Sequence, residues 1–178
     1  MTLKAMLAAL TVLVSLNAQA ELKVGSPAPD FTAPASLGGN VFGYALHDAL
    51  KKGPVVLYFY PAAFTPGCTI EAHNFAEAVD QYKAMGASVI GVSHDPIEDL
   101  KRFSVSECRS KFPVAADIDG SIMKAYDAVM PLLSSYANRT SYVVAPDGKI
   151  LYVYTSMSPD KHTENTLEAV RKWRAAGH

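Results

Sequence analysis

The stretch "YFYPAAFTPGCTIEA" gathers residue types that can do chemistry at short, fixed spacings: Pro61, Thr65, Gly67, Cys68 and Glu71. An apolar, β-rich run leads into it and a helix-like run follows, so Cys68 is expected at a strand-to-helix junction. A helix start leaves backbone N–H groups without intrahelical partners and carries the positive end of the macrodipole, and both favour a thiolate over a thiol. The thiolate is the nucleophilic form of cysteine. Thr65, three residues earlier, brings a hydroxyl within reach of the sulfur or of an oxygen bound beside it. Plainer readings compete. Free cysteines are often inert core residues, Thr65 also suits a helix cap, and a single arginine such as Arg139 is most often a surface charge.

The chain has two cysteines, Cys68 and Cys108, separated by forty residues. Two thiols do not make a disulfide framework, and the pair lacks the short spacing of a zinc site.

The elements that must position these groups follow from periodicity. "PVVLYFYP" (54–61) reads as a buried central strand. "CTIEAHNFAEAVDQYKAMG" reads as a helix whose core face carries Ile70, Phe75, Val79 and Tyr82, stopped by Gly86. "ASVIGVSHD" (87–95) is a second buried strand. "PIEDLKRFSVSECRSK" (96–111) is a helix with Pro in its first turn and acids behind it. "FPVAAD" and "GSIMKAYD" suggest a short strand and a short helix. "TSYVVAPDGKILYVYTS" (140–156) is a hairpin closed on Pro-Asp-Gly, and "SPDKHTENTLEAVRKWRAA" is an amphipathic closing helix. "GSPAPDFTAPASLGG" reads as an extended, turn-filled lead-in. The order predicts one α/β domain with a central mixed β-sheet flanked by helices.

With 178 residues, 49% of them hydrophobic, the chain can bury one sizeable core. The net charge of −1 and the absence of a basic block argue against a nucleic-acid partner. Residues 1–20 read as a signal peptide. Lys4 is followed by the apolar "MLAALTVLVSL", too short to span a bilayer comfortably, and by the small-x-small site Ala18–Ala20. Cleavage after Ala20 would leave residues 21–178 as a periplasmic or secreted domain without stable membrane insertion; the alternative is a retained anchor.

Pro61-x-x-x-Thr65-x-x-Cys68 resembles the P-x-x-x-T-x-x-C signature of the peroxiredoxins. The wider "YPAAFTPGCTIEA" resembles the bacterioferritin comigratory protein, or peroxiredoxin Q, subfamily. "VGSPAPDFTAP" is similar to the opening segment of that family, "GVSHDPIEDLKRF" to its second strand and following helix, and "NRTSYVVAPDGKI" to the strand that carries its active-site arginine, here Arg139. The resemblance runs over residues 23–174 and implies a thioredoxin-like fold and a thiol peroxidase. It implies that Cys68 is the peroxidatic cysteine, oxidised to sulfenic acid by a hydroperoxide. Thr65, Arg139 and the N–H groups around Gly67 and Cys68 would bind substrate and stabilise the leaving oxygen. Pro61 would shield the sulfur, and Glu71 would orient Arg139. The resemblance implies no cofactor and no metal. It points to a thioredoxin-like reductant and, by analogy with the subfamily, to a monomer.

The chain departs from one family pattern. Many relatives carry a second cysteine five residues after the first, where this chain has His73. Cys108, in the segment of the next helix, is then the candidate to resolve the sulfenic acid by an intramolecular disulfide, about one helical turn beyond the position expected. The alternatives are a one-cysteine peroxidase with Cys108 a bystander, a thiol–disulfide oxidoreductase, and a binding domain stapled by Cys68–Cys108. The oxidoreductase reading fails on Thr65, which stands where a C-x-x-C motif needs its first thiol.

Overall fold

The computed structural model describes residues 21–177; the expected signal peptide lies outside them. Among the described residues seven strands form one sheet: β1 (Thr32–Leu37), β2 (Asn40–Ala45), β3 (Val55–Phe59), β4 (Ser88–Ser93), β5 (Val114–Ala116), β6 (Thr140–Val144) and β7 (Ile150–Thr155). Five helices interleave with them: α1 (Leu46–Leu50), α2 (Pro66–Ala84), α3 (Ile97–Ser106), α4 (Ser121–Ala125) and α5 (His162–Ala175). The spatial strand order is β2-β1-β5-β4-β3-β6-β7. β3 runs parallel to β4 and antiparallel to β6, so the sheet is mixed, as the sequence predicts.

β3 is central and buried at every position, which explains its unbroken apolar reading. Successive side chains alternate between faces, and the core splits accordingly into two clusters. Val56, Tyr58 and Tyr60 pack with Phe75, Val79 and Tyr82 of α2, Leu100 and Phe103 of α3, and Leu167 and Val170 of α5. Val55, Leu57 and Phe59 pack on the opposite face with Leu46, Leu50, Tyr126 and Tyr142. Both cysteines belong to the first cluster.

Three sequence expectations need correction. The lead-in is not merely extended: it supplies β1 and the turn through Gly38 and Gly39, both at positive φ, of a hairpin that β2 completes before α1. Its small residues carry little strand propensity, but β5 pairs with Ala35 and Ser36 and ties the hairpin to the sheet. Pro34 lies beyond that ladder. Ile70 is exposed and does not join the core face of α2, because the buried positions fall on the Cys68, Ala72, Phe75, Val79 and Tyr82 side of the helix. Pro96 precedes α3 as its N-cap residue, and the helix ends at Ser106, so Cys108 lies in the turn beyond it. Glu107 and Cys108 both donate their N–H to the Phe103 carbonyl, after which Arg109 and Ser110 take left-handed conformations that no helix continues.

Candidate active site

Cys68 is the third residue of α2, at the junction where β3 hands over to the helix. Pro66 opens the helix, and a proline loses nothing there, since first-turn N–H groups have no intrahelical partner. The N–H groups of Gly67 and Cys68 belong to that same turn. The Thr65 carbonyl accepts the first helical bond, from Thr69 N–H at 2.9 Å. The Thr65 hydroxyl makes no cap bond; it donates to the Ala62 carbonyl at 2.9 Å. Its hydrogen is thereby committed, and its lone pairs stay available. Thr65 is exposed and Pro61 half-buried, whereas Cys68 is only 1% exposed.

Arg139 enters from the start of β6. The register sets Thr140 opposite Phe59, so the residue before β6 lies beside the loop that leaves β3. The Arg139 Nη2 donates to Cys68 Sγ at 3.5 Å. Its Nη1 donates to the buried Glu71 Oε2, and its Nε donates to the Met157 carbonyl at 3.0 Å. The guanidinium is therefore held on three sides. Gly67 makes room for it: a Cβ there would sit 3.0 Å from Nη2. Burial pushes the Glu71 carboxyl up to about 8, against the opposing pull of Arg139.

The site also contains groups not singled out in the sequence. His162, the first residue of α5, is fully buried, with Nδ1 3.6 Å from Glu71 Oε1 and 2.8 Å from Ser141 Oγ. Burial pulls its pKa down to about 4. Asp95 follows β4 and accepts the Ala63 N–H at 2.8 Å and the Ser93 hydroxyl at 2.7 Å, which ties down the loop between Pro61 and Thr65. The "SHD" run closing a buried strand was a signal for Asp95. His162, one polar residue at a helix start, carried none.

Cys108 is fully buried, and burial pushes its thiol well above the ordinary range. Both thiols are free, outside disulfide-bonding distance. Tyr60 is core, stacked on Phe103 at 5.5 Å, while Phe64 is exposed. His73 pairs with Glu107 at 2.9 Å, on the surface beside Cys108. Among the described residues no group of three or more His, Cys, Asp or Glu side chains is placed to hold a metal ion. Among them, too, no helix is long and apolar enough to cross a membrane.

A buried cysteine at the head of a helix, bonded by an arginine that a buried carboxyl holds in place, on a thioredoxin-like sheet, defines a thiol-chemistry protein. The sequence model of the AhpC/TSA family matches residues 24–153, and the chain belongs to that family, the peroxiredoxins, whose members are thiol peroxidases. It is 34% identical to the chloroplastic peroxiredoxin Q of Triticum aestivum over 148 residues, covering 83% of this chain and 66% of that protein. The crystal structure of peroxidoxin BcpB from Mycobacterium tuberculosis superposes with a TM-score of 0.77 at 33% identity, over 85% of this chain and 97% of the other. Enterococcus faecalis AhpC shares the fold, with a TM-score of 0.78 at 22% identity over 86% of this chain and 93% of that one.

Proposed function

We propose that this peroxidase reduces hydrogen peroxide and organic hydroperoxides at Cys68, and that Cys108 resolves the product. The observation that carries the reading is the 3.5 Å bond from the buried Arg139 guanidinium to Cys68 Sγ. In the first step the Cys68 thiolate attacks one peroxide oxygen in line with the O–O bond. A sulfur–oxygen bond forms, the O–O bond breaks, and the departing alkoxide or hydroxide takes up a proton. Arg139 Nη2 and the first-turn N–H groups of α2 offset the charge that develops on the two oxygens. The Thr65 oxygen, its own hydrogen given to Ala62, accepts the hydroperoxide O–H. Pro61 keeps bulk water from the sulfur, and Glu71 orients Arg139.

In the second step the Cys108 thiol and the Cys68 sulfenic acid condense to a disulfide and water. That bond needs Cα atoms within about 7 Å, so the first turn of α2 and the turn holding Cys108 must both move, as weakly held helix ends can. A thioredoxin-like dithiol then reduces the disulfide. The apolar leader and its Ala18–Ala20 site support action outside the cytoplasm. The test is peroxide consumption with a dithiol reductant. Cys68→Ser should abolish it. Cys108→Ser should keep the first oxidation but lose the disulfide and slow turnover. Unchanged turnover in Cys108→Ser would remove Cys108 from the cycle.

A further inference from the structure

Glu71 Oε1 is fully buried and has no hydrogen-bond donor among the described residues, although its carboxyl partner Oε2 is bonded to Arg139. A charged oxygen left bare in the core is costly. Its neighbour at 3.6 Å is His162 Nδ1. The other ring nitrogen, Nε2, lies 2.9 Å from the Ser156 carbonyl, which can only accept, so Nε2 carries a hydrogen. A neutral ring then leaves Nδ1 without one, and nothing donates to Oε1. The Ser141 hydroxyl, 2.8 Å away, can donate to Nδ1, so the neutral ring is satisfied, and the proton that removes the bare charge belongs on Oε1.

Charge points the same way. The groups facing the pair are Cys68 on α2, Arg139 just before β6, Ser141 on β6, Tyr58 on β3, and Tyr154 on β7, whose ring meets His162 edge-on at 4.8 Å. Among them Arg139 is the one fixed cation. With Cys68 as thiolate and Glu71 ionised, a buried cluster would hold two anions against one cation. With one proton on the pair, the arginine charge is left to the sulfur.

We propose that Glu71, beside a neutral His162, holds one proton in the reduced enzyme, and that this proton keeps the Arg139 charge directed at Cys68. His162 is thus a positioning residue for peroxide reduction. The proposal rests on the assignment of Cys68 and Arg139 above. The elevated Glu71 carboxyl and depressed His162 imidazole agree with it.

The test uses the reduced wild-type protein first. Infrared spectra should contain a buried carboxylic acid band at pH 7 that disappears in Glu71→Gln. The second-order rate of Cys68 oxidation by hydrogen peroxide should fall by about tenfold as pH rises past about 8, the size expected for one pKa unit of charge interaction. His162→Phe should shift that alkaline limb and His162→Asn should partly restore it. Absence of the acid band overturns the proposal, as does a wild-type rate that stays level to pH 9.5. Failure of the protein to react with peroxide at any pH would instead remove the peroxidase assignment, and the infrared band would still report on the pair.

Discussion

In the proposed reaction Cys68 and Arg139 act as one unit. The guanidinium is fixed by Glu71 and the Met157 carbonyl, so its remaining N–H groups meet the sulfur without reorganising. Arg139→Met should lower the rate of Cys68 oxidation by about 10²–10³-fold, the usual effect of losing one oriented donor, measured by stopped-flow with hydrogen peroxide. The buried Glu71–His162 pair sets a second expectation. Glu71 holds its proton to about pH 8 when folded, against 4.5 unfolded, and His162 takes one up only near pH 4, against 6.5 unfolded. Between pH 6.5 and 8 the folded pair binds one proton more than the unfolded chain, so stability falls as pH rises. Between 4.5 and 6.5 each state binds one, and the pair contributes no slope. One and a half pH units correspond to about 2 kcal/mol. In Glu71→Gln only His162 remains, with a depressed pKa, so stability should be level above pH 6.5 and fall as pH drops towards 4. Urea midpoints across pH 4–9 for both proteins check this. At this scale the motif drew attention to Pro61, Thr65 and Cys68, and the resemblance of a second segment to Arg139, with Glu71 as what that resemblance implies; the structure brings Cys68, Arg139 and Glu71 together. His162 was not, because its meaning lies in a contact with a residue 91 positions away.

Between elements, the control falls on how α2 holds the turn after α3. His73, Glu77 and Asp80 lie on one face of α2 and pair with Glu107, Arg109 and Lys111 at 2.9, 3.2 and 3.6 Å. These three pairs clamp the turn in which Cys108 is buried. Each is partly exposed and contributes little, about 0.2–1 kcal/mol. Removing all three on the α2 side, with His73→Ala, Glu77→Gln and Asp80→Asn, should speed disulfide closure after sulfenic acid formation by about three- to 160-fold. Rapid-quench mass spectrometry measures that rate, and added salt should act in the same direction on the unmodified protein. A slower closure would mean that the clamp guides Cys108 rather than restraining it. Periodicity recovered α2, β3, β4 and the β6–β7 hairpin, because each buries a regular face. It missed the β1–β2 hairpin, where Pro34 and small residues are ordered by a distant strand, and it extended α3 past its two left-handed residues.

Across the whole molecule, the sheet order brings together what the chain separates. β3 lies between β4 and β6, so the loop after β3, the Asp95 segment after β4 and Arg139 before β6 meet at one end of the sheet. That adjacency was not readable from local pattern, since strand neighbours are chosen by non-local burial; resemblance to a family supplied it. The central claim is that Cys68 is the peroxide-reactive thiol and that Cys108 answers it. Its most direct test is to treat the fully reduced protein with one equivalent of hydrogen peroxide and record the intact mass without reductant. The account predicts loss of two hydrogens, with peptide mapping to a Cys68–Cys108 disulfide. Unchanged mass, or oxygen gained at Cys108 with Cys68 untouched, would contradict it.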